Sequence, residues 1–188
     1  AYGAMMDQAE LLAGSAFPTV MVLPMQGLTT SAGVREGLTH FAKAIGRSIV
    51  LYIKADGYIE PEDAARLVDD GHVSWIKYAT VRDDPAVDPY LGRLVSLVDP
   101  SIIVSGIGEQ PAIVHRRDFG LAGFTSGCVC VNPALSQEML TALNADAFER
   151  AESIRGQFRA LEDLQHTFDR IVALHRRQHE QRVGRIAR

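Results

Sequence analysis

The chain has 188 residues, 47% of them hydrophobic and 22% charged, so one globular domain with a real core is expected rather than a disordered segment. A net charge of -4 and a pI near 5.9 argue against nucleic acid as a partner, because phosphate binding needs a basic face. No apolar run approaches the ~18 residues that would cross a membrane, and a cytoplasmic protein is expected.

Five short runs rich in Val and Ile follow in chain order. They are Thr19–Pro24, Ser48–Lys54, Val73–Tyr78, Ser101–Ser105 and Leu121–Ser126. Each is nearly continuous in apolar residues, the pattern of strands buried on both faces. Between them lie amphipathic stretches. Ala32 to Gly46 gathers Val34, Leu38, Phe41, Ala42 and Ile45 on one face. Pro61 to Asp70 opens with proline and acids, a good helix start. Pro89 to Val98 repeats Leu91, Leu94, Val95 and Val98, and Gln110 to Phe119 is a weaker candidate. Strand starts recur at roughly 20–30 residues, the period of βα units, and right-handed crossovers then imply a parallel sheet. After Ser126 the pattern turns helical. Pro133 to Leu143 is one helix, and Asp146 to about Leu174 is a longer one striped by Phe148, Ala151, Ile154, Phe158, Leu161 and Leu164. The basic stretch from Arg176 to Arg188 is expected to be a frayed, solvated terminus.

Lys77 stands out chemically. Only Lys43, Lys54 and Lys77 are lysines among the nineteen basic residues, and two of these end apolar runs. A strand-end lysine held in apolar surroundings can lose its proton and attack a carbonyl, which an arginine cannot do. The competing reading is a lysine that extends its head into water. Lys54 falls two residues after Tyr52, so the two share a face if the strand continues, and Lys54 can then repel a charge on Lys77. Pairing of Lys54 with Asp56 or Glu60 is the alternative. Tyr52 reads either as a proton relay or as a core tyrosine with a bonded hydroxyl. Tyr78 points to the opposite face from Lys77 and reads as packing. Glu109 sits at a helix start, where it can satisfy free N–H groups.

Other motifs carry less. Gly106-Ile107-Gly108 lacks the third glycine of a dinucleotide loop. His175 and His179 have helical metal spacing but no carboxylate beside them, and His40, His72 and His115 are isolated. Cys128 and Cys130 fall in one strand-like run, pointing the same way. They are expected to be buried free thiols, too close for an ordinary disulfide and too few for zinc.

The ordered points Leu51-Tyr52, Ile76-Lys77, Ser105-Gly106 and Gly123-Phe124-Thr125-Ser126 before Asn132-Pro133 resemble the dihydrodipicolinate synthase / N-acetylneuraminate lyase family. The likeness runs from about Ala9 to Leu174 and covers the C-terminal half to two thirds of that family's chain. It implies an α/β fold, a (β/α)8 TIM barrel of which this chain supplies about five units plus C-terminal helices over 134–175. Residues 1–188 then form a single barrel domain lacking its first three strands. It further implies a Schiff-base lyase acting on pyruvate or a 2-keto-3-deoxy sugar acid, working without metal or organic cofactor and assembled as a homo-oligomer, a dimer or tetramer. On that resemblance Lys77 aligns with the imine-forming lysine and Tyr52 with the proton relay. Gly106 and the stretch through Thr125 and Ser126 align with segments lining the substrate site, and Lys54 joins them as a candidate substrate contact.

Two departures stand beside it. The stretch Tyr52-Ile53-Lys54-Ala55-Asp56-Gly57-Tyr58 has neither the Asn-x-Pro nor the Gly-Arg-Thr of dihydrodipicolinate producers, and is more like the sugar-acid branch. The family's Gly-Thr-Thr-Gly-Glu segment has no counterpart, Thr29-Thr30-Ser31 being a different motif. A truncated, non-catalytic member or an assembly partner is therefore the alternative expectation.

Overall fold

The computed structural model describes residues 2–24 and 30–164. The His175/His179 pair, the end of the long helix expected to reach about Leu174 and the basic stretch from Arg176 lie outside the described residues.

Five parallel strands stand side by side in chain order: β1 (Val20–Val22), β2 (Ile49–Ile53), β3 (Val73–Tyr78), β4 (Ile103–Ser105) and β5 (Gly123–Phe124). Helices alternate with them: α1 (Tyr2–Ala13), α2 (Ser31–Ile45), α3 (Pro61–Asp69), α4 (Pro89–Val95), α5 (Glu109–Phe119) and α6 (Pro133–Asn144), followed by α7 over 148–164. The strand order decides the architecture. A doubly wound sheet reverses direction at a switch point and carries helices on both faces. An unbroken order with right-handed crossovers keeps every crossover helix on one face, which is how a barrel grows.

The two faces of the sheet differ accordingly. Ile49, Leu51, Ile53, Ile76, Tyr78 and Ile103 point toward the helices and join one core with Val34, Leu38, Phe41, Leu67, Leu91 and Leu94. Burying each such side chain contributes about 1.5–3 kcal/mol. The opposite face is more open: Tyr52, Trp75, Lys77 and Val104 are half-buried, and Met21 is exposed. The expectation of strands buried on both faces is thus met in full on the helix side and only at Val50 (1% exposed) on the other, since five strands do not curl far enough to cover their own concave face. Among the described residues β1 and β5 each have one strand neighbour.

Local signals explain the elements. Thr30 caps α2 by accepting from the Gly33 N–H (3.1 Å), so this threonine serves a helix start. Pro61 opens α3 and Pro89 opens α4, where Asp88 accepts from the Leu91 N–H. The sequence pattern did not announce α1. Its own apolar periodicity is weak, and it is held at its end by the Arg47 guanidinium, which donates to the carbonyls of Leu12, Ser15 and Phe17. Three further expectations need correction. Cys128 to Cys130 forms a 3-10 turn rather than a strand, and Cys128 is buried while Cys130 is exposed. Leu164 is exposed, because the buried stripe of α7 runs Ala151, Ile154, Phe158 and then Glu162. The strand ends are also shorter than their apolar runs, most of all at β5.

Behind β4, His115 of α5 is 1% exposed and its Nδ1 is hydrogen-bonded to Ser105 Oγ at 2.8 Å. Burial pushes the imidazole down to about 4. Its folded pKa lies below the unfolded value, so the stability it contributes is complete above pH ~6.5 and is lost as pH falls toward 4. Between pH 8 and pH 5 the protein is expected to lose about 2 kcal/mol through this group. Urea midpoints of wild type and His115→Gln over that range check it: their difference should narrow or reverse on acidification, and parallel curves would contradict the assignment.

Candidate functional site

The ladder between β2 and β3 pairs Tyr52 with Lys77 at one level. Alternation along parallel strands turns both onto the face away from the helices. There the Lys77 ammonium nitrogen stands over the Tyr52 ring, 4.9 Å from its centroid, within the range of a cation–π contact. The pair sits at the C-terminal end of the strands, the end at which barrel enzymes carry their sites.

Lys77 has β4 on its other flank. Val104 is its partner in the ladder, and Gly106 follows just past the strand, its N–H donating to the Tyr78 carbonyl (2.6 Å). Continuing the alternation places Gly123 and then Thr125 on the same face, and the Thr125 N–H donates to the Ser105 carbonyl (2.8 Å). The structure therefore brings Tyr52, Lys77, Gly106 and Thr125 to one end of the open face.

Ser126 and Lys54 stand apart from that group. The Ser126 hydroxyl donates to Glu109 Oε1, which also accepts from the Ser136 hydroxyl at 3.0 Å. Glu109 is fully buried, and it does not cap its own helix as expected. That task falls to Glu162 of α7, whose Oε1 accepts from the N–H groups of Glu109 (2.8 Å) and Gln110 (3.0 Å). Gly108 is fitted to this contact twice over, by a φ of +106 and because a Cβ there would lie 3.0 Å from that oxygen. Cys128 lies beside the two carboxylates. Burial first, and then their negative charge, pushes its thiol up to about 11, so it is a poor nucleophile. Strand β2 stops at Ile53, so the condition under which Lys54 shares the face of Tyr52 is not met, and Lys54 is exposed.

The acid expected beside Lys54 is taken by an arginine that sequence reasoning missed. Asp56 receives a bidentate pair from Arg82 Nη1 (2.6 Å) and Nη2 (2.7 Å). Arg82 also reaches Asp88 through Nε (3.0 Å) and Nη2 (3.1 Å), and Asp88 accepts from the Tyr78 hydroxyl (2.5 Å). Burial pushes the Asp88 carboxyl up, but the hydrogen bonds from Arg82, the Leu91 N–H and Tyr78 outweigh it and hold the group below the usual range. Arg82 thereby ties the loop after Tyr52 to the loop after Lys77. No local signal in the sequence pointed to this, since Asp56, Arg82 and Asp88 share no motif.

A cavity of about 300 Å³ opens on the helix side, between residues 80–85, α5 and α7, with Thr80, Ile107, Gln110 and Arg155 in its wall. Lys77 and Tyr52 do not line it. Among the described residues, no group of three or more His, Cys, Asp or Glu is placed to hold a metal ion, and no helix is long and apolar enough to cross a membrane.

No family model and no curated protein matches the sequence. Solved structures do. Dihydrodipicolinate synthase from Oceanobacillus iheyensis superposes with a TM-score of 0.75 at 24% identity, over 88% of this chain and 54% of that one. The synthase from Bacillus clausii gives 0.74 at 23% identity, over 88% and 55%. The chloride-inhibited synthase from Acinetobacter baumannii complexed with pyruvate gives 0.69 at 18% identity, over 85% and 55%.

The fold is that of part of a (β/α)8 barrel.

The resemblance to the dihydrodipicolinate synthase / N-acetylneuraminate lyase family, drawn from Leu51-Tyr52, Ile76-Lys77, Ser105-Gly106 and Gly123-Phe124-Thr125-Ser126 before Asn132-Pro133, is thus met in three dimensions at the level of architecture. The chain spans about half the length of the synthases it matches.

The Arg82 clamp gives a sharp expectation. Arg82→Met leaves the fully buried Asp88 carboxylate without its cation and should cost about 3 kcal/mol. Asp56→Ala removes the largely exposed partner and should cost less than about 1 kcal/mol. Equal losses in chemical denaturation would show that the clamp is not anchored on Asp88.

Proposed function

We propose that this chain carries the imine-forming part of a Schiff-base lyase of the dihydrodipicolinate synthase type, acting on pyruvate or a 2-keto-3-deoxy sugar acid by aldol cleavage, condensation or dehydration. The observation that carries the proposal is the Lys77 nitrogen over the Tyr52 ring, at matched register on the open face. The barrel fold and the pyruvate bound in the Acinetobacter baumannii synthase support it.

The chemistry follows from the two side chains. The neutral Lys77 amine attacks the C2 carbonyl of the oxo acid and forms a carbinolamine. Proton transfer to its hydroxyl expels water and leaves a protonated imine. That cation withdraws electrons from C3, so a C3–H bond can release its proton to give an enamine, or the C3–C4 bond of a longer acid can break. The imine is itself the electron sink, so this route needs no metal or organic cofactor. In this proposal Tyr52 passes protons between these atoms, a role worth about 100-fold or more. Thr125 and Gly106 complete the proposed substrate wall at the strand ends, whereas Ser126, bonded to Glu109, and the exposed Lys54 are left out of it.

The alternative, a non-catalytic member or assembly partner that keeps the sheet, draws on β1 and β5 each having one strand neighbour among the described residues. Borohydride reduction in the presence of pyruvate separates the two. A reduced pyruvate adduct on Lys77, absent in Lys77→Met and formed about 100-fold more slowly in Tyr52→Phe, is the expected result. Absence of any adduct across a panel of 2-oxo acids would overturn the lyase assignment.

A further inference from the structure

We propose that Gly106 is a positioning residue for Lys77: its missing side chain forms the slot that admits the lysine's methylene stem and directs the amine across Tyr52. The consequence for catalysis rests on the lyase assignment above, whereas the packing itself does not.

Gly106 is absent from the glycines with positive φ, which are Gly46, Gly57, Gly71, Gly108 and Gly120. Its backbone conformation is therefore open to other residues, and space alone demands glycine. A Cβ built there would lie 2.9 Å from both Cγ and Cε of Lys77 and 2.8 Å from Cβ of Ala79. Carbons in contact prefer about 3.5–4.0 Å, so each approach is a clash. The stem of Lys77 is thus confined between two walls, the Tyr52 ring on β2 and the bare Cα of Gly106 beyond β4. Such confinement removes rotamers before substrate arrives and fixes where the nitrogen points.

The two clashes are separable. Ala79 Cβ is attached to the backbone and cannot yield, so Gly106→Ala strains the fold there. Lys77 is flexible and yields by leaving the slot. Ala79→Gly relieves the first clash and leaves the second.

The three lysines make the test direct. In wild-type protein with ¹³C-labelled lysine, the Lys77 ε-methylene signal, assigned by its loss in Lys77→Met, is expected upfield of those of Lys43 and Lys54 because of the Tyr52 ring current. A Lys77 signal coincident with the other two would overturn the proposal at once. In the double variant Ala79→Gly, Gly106→Ala, the melting temperature should match that of Ala79→Gly alone while the Lys77 signal moves to the position of the other lysines. Borohydride trapping should fall about 100-fold. An unmoved signal contradicts the slot. If the double variant does not fold, adding Lys77→Ala should restore folding by removing the obstructing stem, and continued misfolding would also overturn the proposal. If wild type forms no adduct, the lyase assignment fails while the lysine signals still decide the role of Gly106.

Discussion

The hydrogen-bonded ladder between β2 and β3 is the constraint on which the rest of the molecule depends. It sets Tyr52 level with Lys77 and, by alternation, sets Leu51, Ile53, Ile76 and Tyr78 level with one another on the reverse side. A slip of one residue on β3 would turn the lysine into the helix layer and Ile76 outward, and the same slip on β2 would turn Tyr52 inward. The apolar core is therefore what holds the lysine in register. Fold and candidate chemistry are two faces of one strand pair.

The helix-side face is polar where it matters. Tyr78, Asp88 and Arg82 tie two loops together at the C-terminal rim, His115 is hydrogen-bonded to Ser105 behind β4, and Glu109 and Glu162 gather Ser126, Ser136 and the start of α5. These groups do not touch Lys77. They fix the segments that follow β2, β3, β4 and β5. Loops at a barrel's C-terminal end are the part free to vary, and here each is pinned by a buried charge or hydrogen bond.

Much of this was legible in the residues. Apolar runs located all five strands, and Pro61, Pro89 and Pro133 located three helix starts, because strand burial and N-terminal proline are local effects. The closeness of Tyr52 to Lys77 was implied by the family resemblance alone, since the apolar runs by themselves put Lys54 at the end of its strand and beside Lys77. What stayed hidden was non-local. Helix α1 depends on Arg47, thirty or more residues away, and Glu109 was read as a cap because Glu162, fifty-three residues later, could not be placed beside it. Cys128 and Cys130 looked like a strand because a short apolar run does not distinguish a strand from a turn packed on a core. Gly106 was read as lining the substrate site, and its closeness to the Lys77 stem became visible only with β3 and β4 side by side.

A crystal structure of the protein soaked with pyruvate tests the central claim most directly. Continuous density from the Lys77 nitrogen to the pyruvate C2 atom, beside the Tyr52 ring, is the expected result. An unmodified lysine turned away from Tyr52 toward solvent would contradict it.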